Sequence, residues 1–139
     1  MKRLLLLNLI LIITSNIFSQ SQSSKINTQG YDLNYKDPKS VVNGFIHACK
    51  NKDVYLCTLV FLPFIESGEF KDIKNQWFKK DPKFISGLYD LRESYINGET
   101  EHIDSKSCIV PVYFITPTNK YQEKIYLTKI YDNWYITSF

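Results

Sequence analysis

Downstream of Asp37 the apolar positions of this chain keep two different periods, one after the other. Over "DPKSVVNGFIHACK" Val41, Val42, Phe45 and Cys49 recur at the three-to-four-residue spacing of a helix with one buried face. Asp37 suits the N-cap and Pro38 the first helical position, where the missing amide donor has no partner to lose. The pattern predicts a helix over Pro38 to Lys50. After the polar break "NKD", Asp53 caps a shorter helix that turns Leu56, Leu59 and Val60 inward and stops before Pro63. A third helix is expected from Ser67 to Lys80, with Phe70, Ile73 and Trp77 on one stripe. Asp81-Pro82 then repeats the first start signal, ahead of a short helix carrying Phe84 and Leu88; with Gly87 as a weakening residue inside it, residues 82–91 stay open between helix and strand.

Past Arg92 the period falls to two, the spacing of a half-buried strand. "ESYINGETEHI" is a weakly patterned strand in which Asn97-Gly98 makes a bulge or a turn, and in which Ile103 is expected to pack inward. "DSKS" turns the chain into "CIVPVYFIT", the strand most plainly destined for the core. Pro111 within it has no amide donor, so one side of that strand should be unpaired or bulged there. "PTNK" leads to "YQEKIYLTKIY", Asp132-Asn133 to a tight loop, and "WYITSF" to the last strand. Its two faces, Trp134, Ile136 and Ser138 against Tyr135, Thr137 and Phe139, are both apolar. A strand covered on both sides, central in its sheet, would explain that. Helices followed by an antiparallel meander indicate an α+β domain with the helices on one face of the sheet.

The first residues belong to a different pattern. Lys2 and Arg3 precede an apolar run from Leu4 to Ile13 and a polar exit from Ser15 to Gln20. The run is about half of the roughly 20 residues a spanning helix needs. A signal peptide over 1–19 is therefore expected, with export to the periplasm or the cell exterior, no stable membrane anchor after cleavage, and a flexible, polar lead-in over 20–36. The domain proper is 37–139.

Charge changes this picture little. Without Lys2 and Arg3, 15 basic residues face 14 acidic ones, a formal charge of +1 instead of +3. Lys71, Lys74, Lys79, Lys80 and Lys83 form the one dense cationic group and read as a solvated helix face, which argues against nucleic acid as a partner. Of the three cysteines, Cys49 and Cys57 are close enough in sequence to bridge two packed helices, or else serve as small buried apolar residues. No CxxC, HExxH or glycine-rich phosphate loop is present, so neither a metal nor a cofactor is indicated.

Candidate chemistry is sparse. His47 lies about 140° around the first helix from Val42, away from the buried stripe. His102 has the opposite strand parity to Ile103. Both therefore read as surface or rim histidines. Glu123 shares parity with Ile125 and Leu127 and reads as a rim carboxylate. Tyr113, Tyr121, Tyr126, Tyr131 and Tyr135 crowd the sheet, and tyrosine, with an apolar body and a polar tip, suits pockets and interfaces. These five are the candidate ligand- or partner-binding residues. No catalytic residue is assigned.

The capped "DPKSVVNGFIHACKNKDVYLCTLV", the turn-strand "DSKSCIVPVYF" and the ending "KIYLTKIYDNWYITSF" together resemble the nuclear transport factor 2-like superfamily. These are cone-shaped α+β domains that include ketosteroid isomerase, and the likeness is greatest to small exported bacterial members of lumazine-binding-like type. It covers Asp37 to Phe139, with "NGETEHI" and the segment from Asp81 to Leu91 departing from the pattern. The resemblance implies a curved antiparallel sheet cupped around helices, and a homodimer formed through that sheet as one option. It implies an exported, non-enzymatic module that binds a protein partner, as an immunity-type protein would, or a small apolar ligand. The alternative it implies is an isomerase- or dehydratase-like enzyme with an acid/base pair inside the cone. The lining of the interior separates the two: a buried carboxylate beside a Tyr or His for the enzyme, Phe and Leu for the binding module.

Overall fold

A computed structural model describes residues 25–28, 30–62 and 82–139, and it shows helices packed on an antiparallel sheet. The chain first forms a hairpin, β1 (Lys25–Thr28) with β2 (Tyr31–Asn34), around Gly30 at φ +83°. Part of the stretch expected as a flexible lead-in is thus built into the domain. The reason is two apolar anchors that its polar composition masks: Leu33 is fully buried and Tyr35 almost so.

Helix α1 (Pro38–Asn51) begins as its sequence dictates, with Asp37 Oδ1 accepting from the Lys39 amide at 3.0 Å and Pro38 in the first turn. Val41, Val42, Phe45, Ala48 and Cys49 form its buried stripe. The helix stops at Lys52, which adopts a left-handed conformation (φ 56°) and donates its amide to the closing carbonyls. Asp53 then caps α2 (Val54–Val60), its Oδ1 accepting from Leu56 N at 3.0 Å. Helix α3 (Pro82–Asp90) decides the segment around Leu88, which is buried, in favour of helix over strand. The helix expected over Ser67–Lys80, with most of the lysine group, lies outside the described residues.

The sheet runs β3 (Tyr95–Ile96), β5 (Ser107–Ile115), β6 (Lys120–Ile130), β7 (Asn133–Ser138), and β4 (Glu101–His102) pairs β5 beside β3. Pro111 explains why β3 and β4 are separate. Ile96 pairs Val112 and Glu101 pairs Ile109, so the chain leaves the ladder opposite Pro111, where Asn97 N still donates to Pro111 O at 2.9 Å. Gly98, at φ +146° and with Pro111 Cγ 3.0 Å from where a Cβ would stand, makes the detour. Ile103 sits beyond β4 in the following turn, 57% exposed, and does not pack inward: alternation ceases to report a face once the strand has ended.

The inner face of the sheet carries Cys108, Val110, Val112 and Phe114 from β5, Ile125 and Leu127 from β6, and Trp134 and Ile136 from β7, and α1 packs against it. β7 is an edge strand of the sheet, not a central one. Its outer side is nevertheless occupied, because Phe61 bridges Ile136 in parallel and Trp134 N donates to Tyr35 O at 2.8 Å. Tyr135, on the other face, is buried against Tyr35, with ring centroids 5.1 Å apart, and the Tyr35 hydroxyl donates to Leu59 O. Coverage from the chain segments around it, rather than a neighbouring strand, is what makes both faces of β7 apolar. The loop joining β6 to β7 is Tyr131-Asp132, both at positive φ, with Asn133 already paired to Ile130.

Candidate functional site

Four phenylalanines from distant parts of the chain meet at one end of the inner face. Phe45 comes from the buried stripe of α1, Phe61 from the residue after α2, Phe114 from β5 and Phe139 from just beyond β7. Phe45 and Phe61 meet edge to face at 5.5 Å, and Phe139 lies 5.6–5.7 Å from each of Phe45, Phe61 and Phe114. Edge-to-face rings place positive edges on negative faces, an arrangement stable without full close packing. Here the rings border an open cavity of about 560 Å³, completed by Cys57, Gly87, Leu88 and Leu91.

Polar side chains reach this cavity from two places. Lys83 stands near the start of α3. Tyr121 and Glu123 alternate on the inner face of β6, ahead of Ile125 and Leu127. Period two keeps all four β6 side chains on one face, yet Ile125 and Leu127 are buried while Tyr121 is 41% exposed and Glu123 half-buried. Glu123 thus lies on the inner face, as its parity suggested, and at the rim, as its place near a strand end suggested, and Tyr121, 5.8 Å from Phe114, is the member of the tyrosine set that lines the cavity.

The remaining tyrosines are not brought together. Tyr113 lies on the opposite face of the sheet beside Tyr95 (5.6 Å), with Lys120 Nζ 4.6 Å over its ring and donating to the Tyr95 hydroxyl at 3.0 Å. Tyr126 is on that same outer face, Tyr131 caps the β6–β7 loop at 95% exposure, and Tyr135 is buried. Alternation along β6 separates Tyr121 from Tyr126, and the β5–β6 register, with Phe114 opposite Tyr121, separates it from Tyr113.

His47 is half-buried beside Tyr31 (ring centroids 5.1 Å apart), and its Nε2 has no hydrogen-bond partner among the described residues; it lies outside the cavity lining. His102 is exposed, its ring 5.9 Å from that of Trp134. Cys49, Cys57 and Cys108 are buried free thiols, so the possible bridge between Cys49 and Cys57 is not formed. Burial pushes the Cys49 thiol up to about 12 and the Cys57 thiol higher still, which makes both poor nucleophiles at neutral pH. Among the described residues no three His, Cys, Asp or Glu side chains converge as a metal site requires, and no helix is long and apolar enough to cross a membrane.

Sequence reading missed Phe61, Phe114 and Phe139 as site residues because each looks like an ordinary core position on its own element. The high aromatic content was the available signal, and tyrosine rather than phenylalanine drew the assignment. No protein-family model, curated protein or solved structure matches this chain.

Proposed function

We propose that this chain is an exported, non-enzymatic binding module with the cone-shaped nuclear transport factor 2-like fold, and that it holds a small apolar ligand in the cavity bordered by the four phenylalanines. The observation that carries this reading is the lining itself. A space of about 560 Å³ walled by Phe45, Phe61, Phe114, Phe139, Leu88 and Leu91 favours apolar contents and provides few groups to direct a reaction. Its size falls within the roughly 300–1,000 Å³ of small-molecule sites. The isomerase- or dehydratase-like alternative would rest on Glu123, the carboxylate of that lining, with Tyr121 as its partner. A half-buried carboxylate at a rim supports ligand orientation better than proton transfer inside a closed site.

The test is a fluorescence titration with the neutral dye N-phenyl-1-naphthylamine. The parent protein should bind it saturably, with an emission increase. Gly87→Phe should abolish that signal while keeping the melting temperature, because a Cβ at Gly87 meets nothing within 4 Å and the added ring can occupy the cavity. An absence of saturable binding, or equal binding by the Gly87→Phe variant, would remove the proposal. Export is tested separately by mass spectrometry of the protein from its native host: a chain beginning near Gln20 supports it, and intact Met1 in a cytoplasmic fraction refutes it.

A further inference from the structure

Of the four phenylalanine rings around the cavity, three are held by the fold and one is not. Phe45 (3% exposed) projects from the middle of α1, Phe114 (4%) is paired within β5 near its end, and Phe61 is tied to β7 through its backbone bridge to Ile136. Phe139 follows β7 without belonging to it and is 51% exposed, although it touches each of the other three rings. An apolar ring that is half in water, and whose ring contacts among the described residues are all to cavity residues, contributes little to the core but much to the shape of the cavity. Exposed side chains exchange rotamers within nanoseconds, whereas buried ones are confined by close packing. Among the described residues the four phenylalanines therefore give the cavity three fixed walls and one adjustable one, with the exposed Tyr121 at its rim.

We infer that Phe139 is the specificity-determining wall of this cavity, setting the size of the apolar chain that the site admits. The inference rests on the binding reading above. Among the described lining residues the only charged side chains, Lys83 and Glu123, are of opposite sign, so their charges sum to zero and favour neither an anionic nor a cationic head. The ligand class that fits is a neutral-headed aliphatic chain, and n-alkanols are its simplest probes.

Each methylene taken out of water into the cavity should tighten binding about fourfold, until the space is filled. Longer chains then project into solvent and gain nothing. Displacement of N-phenyl-1-naphthylamine by a series from hexanol to hexadecanol measures where that plateau begins in the parent protein. Phe139→Ala vacates the space of the ring: alcohols beyond the parent plateau should keep gaining about fourfold per methylene. Phe139→Trp should move the plateau to shorter chains. Because Phe139 is half exposed, both variants should unfold within a few degrees of the parent, and the Trp variant keeps an aromatic contact should the Ala variant fail to fold.

The same plateau in the parent and both variants, or a uniform weakening of every alcohol by Phe139→Ala, would overturn the inference while leaving the binding reading intact. A parent protein that binds neither dye nor any alcohol would overturn the binding reading itself.

Discussion

Replacing Trp134 by alanine tests whether β7 closes the core. Trp134 is 4% exposed on the inner face of an edge strand, and its backbone amide bond to Tyr35 O would survive the change, so the substitution removes the side chain alone. Burying a side chain of this size takes about 150–250 Å² out of water. At about 25 cal/mol per Å² that is a transfer contribution of about 4–6 kcal/mol. Two neighbours reduce it. The Lys129 ammonium lies 5.4 Å over the indole and the His102 ring is 5.9 Å away, and both residues reach solvent, so the vacated space can be partly refilled. A loss of about 3–4 kcal/mol remains, within the range for such truncations in cores. Against a total stability of about 5–15 kcal/mol this is a large fraction. It corresponds to a fall in melting temperature of roughly 12–25 °C for a domain of this size. Thermal and urea unfolding followed by far-UV circular dichroism measures it, with Thr137→Ala as control. That variant loses one half-exposed hydroxyl bond to Tyr126 O and should cost less than about 1 kcal/mol. A Trp134→Ala protein that melted within about 4 °C of the parent, with an unchanged urea slope, would show that the strand is peripheral.

Two helix glycines should respond to alanine with opposite signs. At Gly87, where nothing stands near the new Cβ, the change should add up to about 1 kcal/mol of helix stability, whereas at Gly44 the Cβ would press Leu33 Cδ1 at 3.1 Å and Tyr31 Cε1 at 3.2 Å and should destabilise the contact with the β1–β2 hairpin. Chemical denaturation of the pair decides it, and equal effects would discount the hairpin contact. Asp53→Ala should lower stability by about 1–2 kcal/mol through loss of the α2 cap, and Asp53→Asn, which keeps the acceptor for Leu56 N, should lose less; identical losses would argue against capping. Stability should also fall at alkaline pH. Burial raises the Cys49, Cys57 and Tyr35 values, so above pH 9.0, where an ordinary thiol ionises, the unfolded chain releases protons that the folded chain retains, and the difference grows as pH rises toward the folded values. Urea midpoints across this range should decline in the parent and less steeply in Cys57→Ala; a flat profile would contradict the burial of these groups.

Local physics in the sequence determined the helix starts, the strands from β5 onward and much of the inner face. Asp37-Pro38 and Asp53 mark helix starts because a capping carboxylate acts within three residues. Alternation in β6 and β7 picks out Ile125, Leu127, Trp134 and Ile136 because side chains on a strand point to opposite faces in turn. Pro111 announced a break in pairing through its missing donor, and the break between β3 and β4 falls opposite it. What the tertiary structure decided are the facts that depend on residues far apart in the chain. β7 became an edge strand with both faces covered only when Phe61, Tyr35 and Tyr135 met around it. The hairpin at 25–34 was hidden because two anchors, Leu33 and Tyr35, do not make a period. The cavity is the clearest case: Phe45, Phe61, Phe114 and Phe139 belong to four separate segments, and each alone carries the same signal as any core residue. Burial can be read from the spacing along one element; an unfilled space exists only between elements.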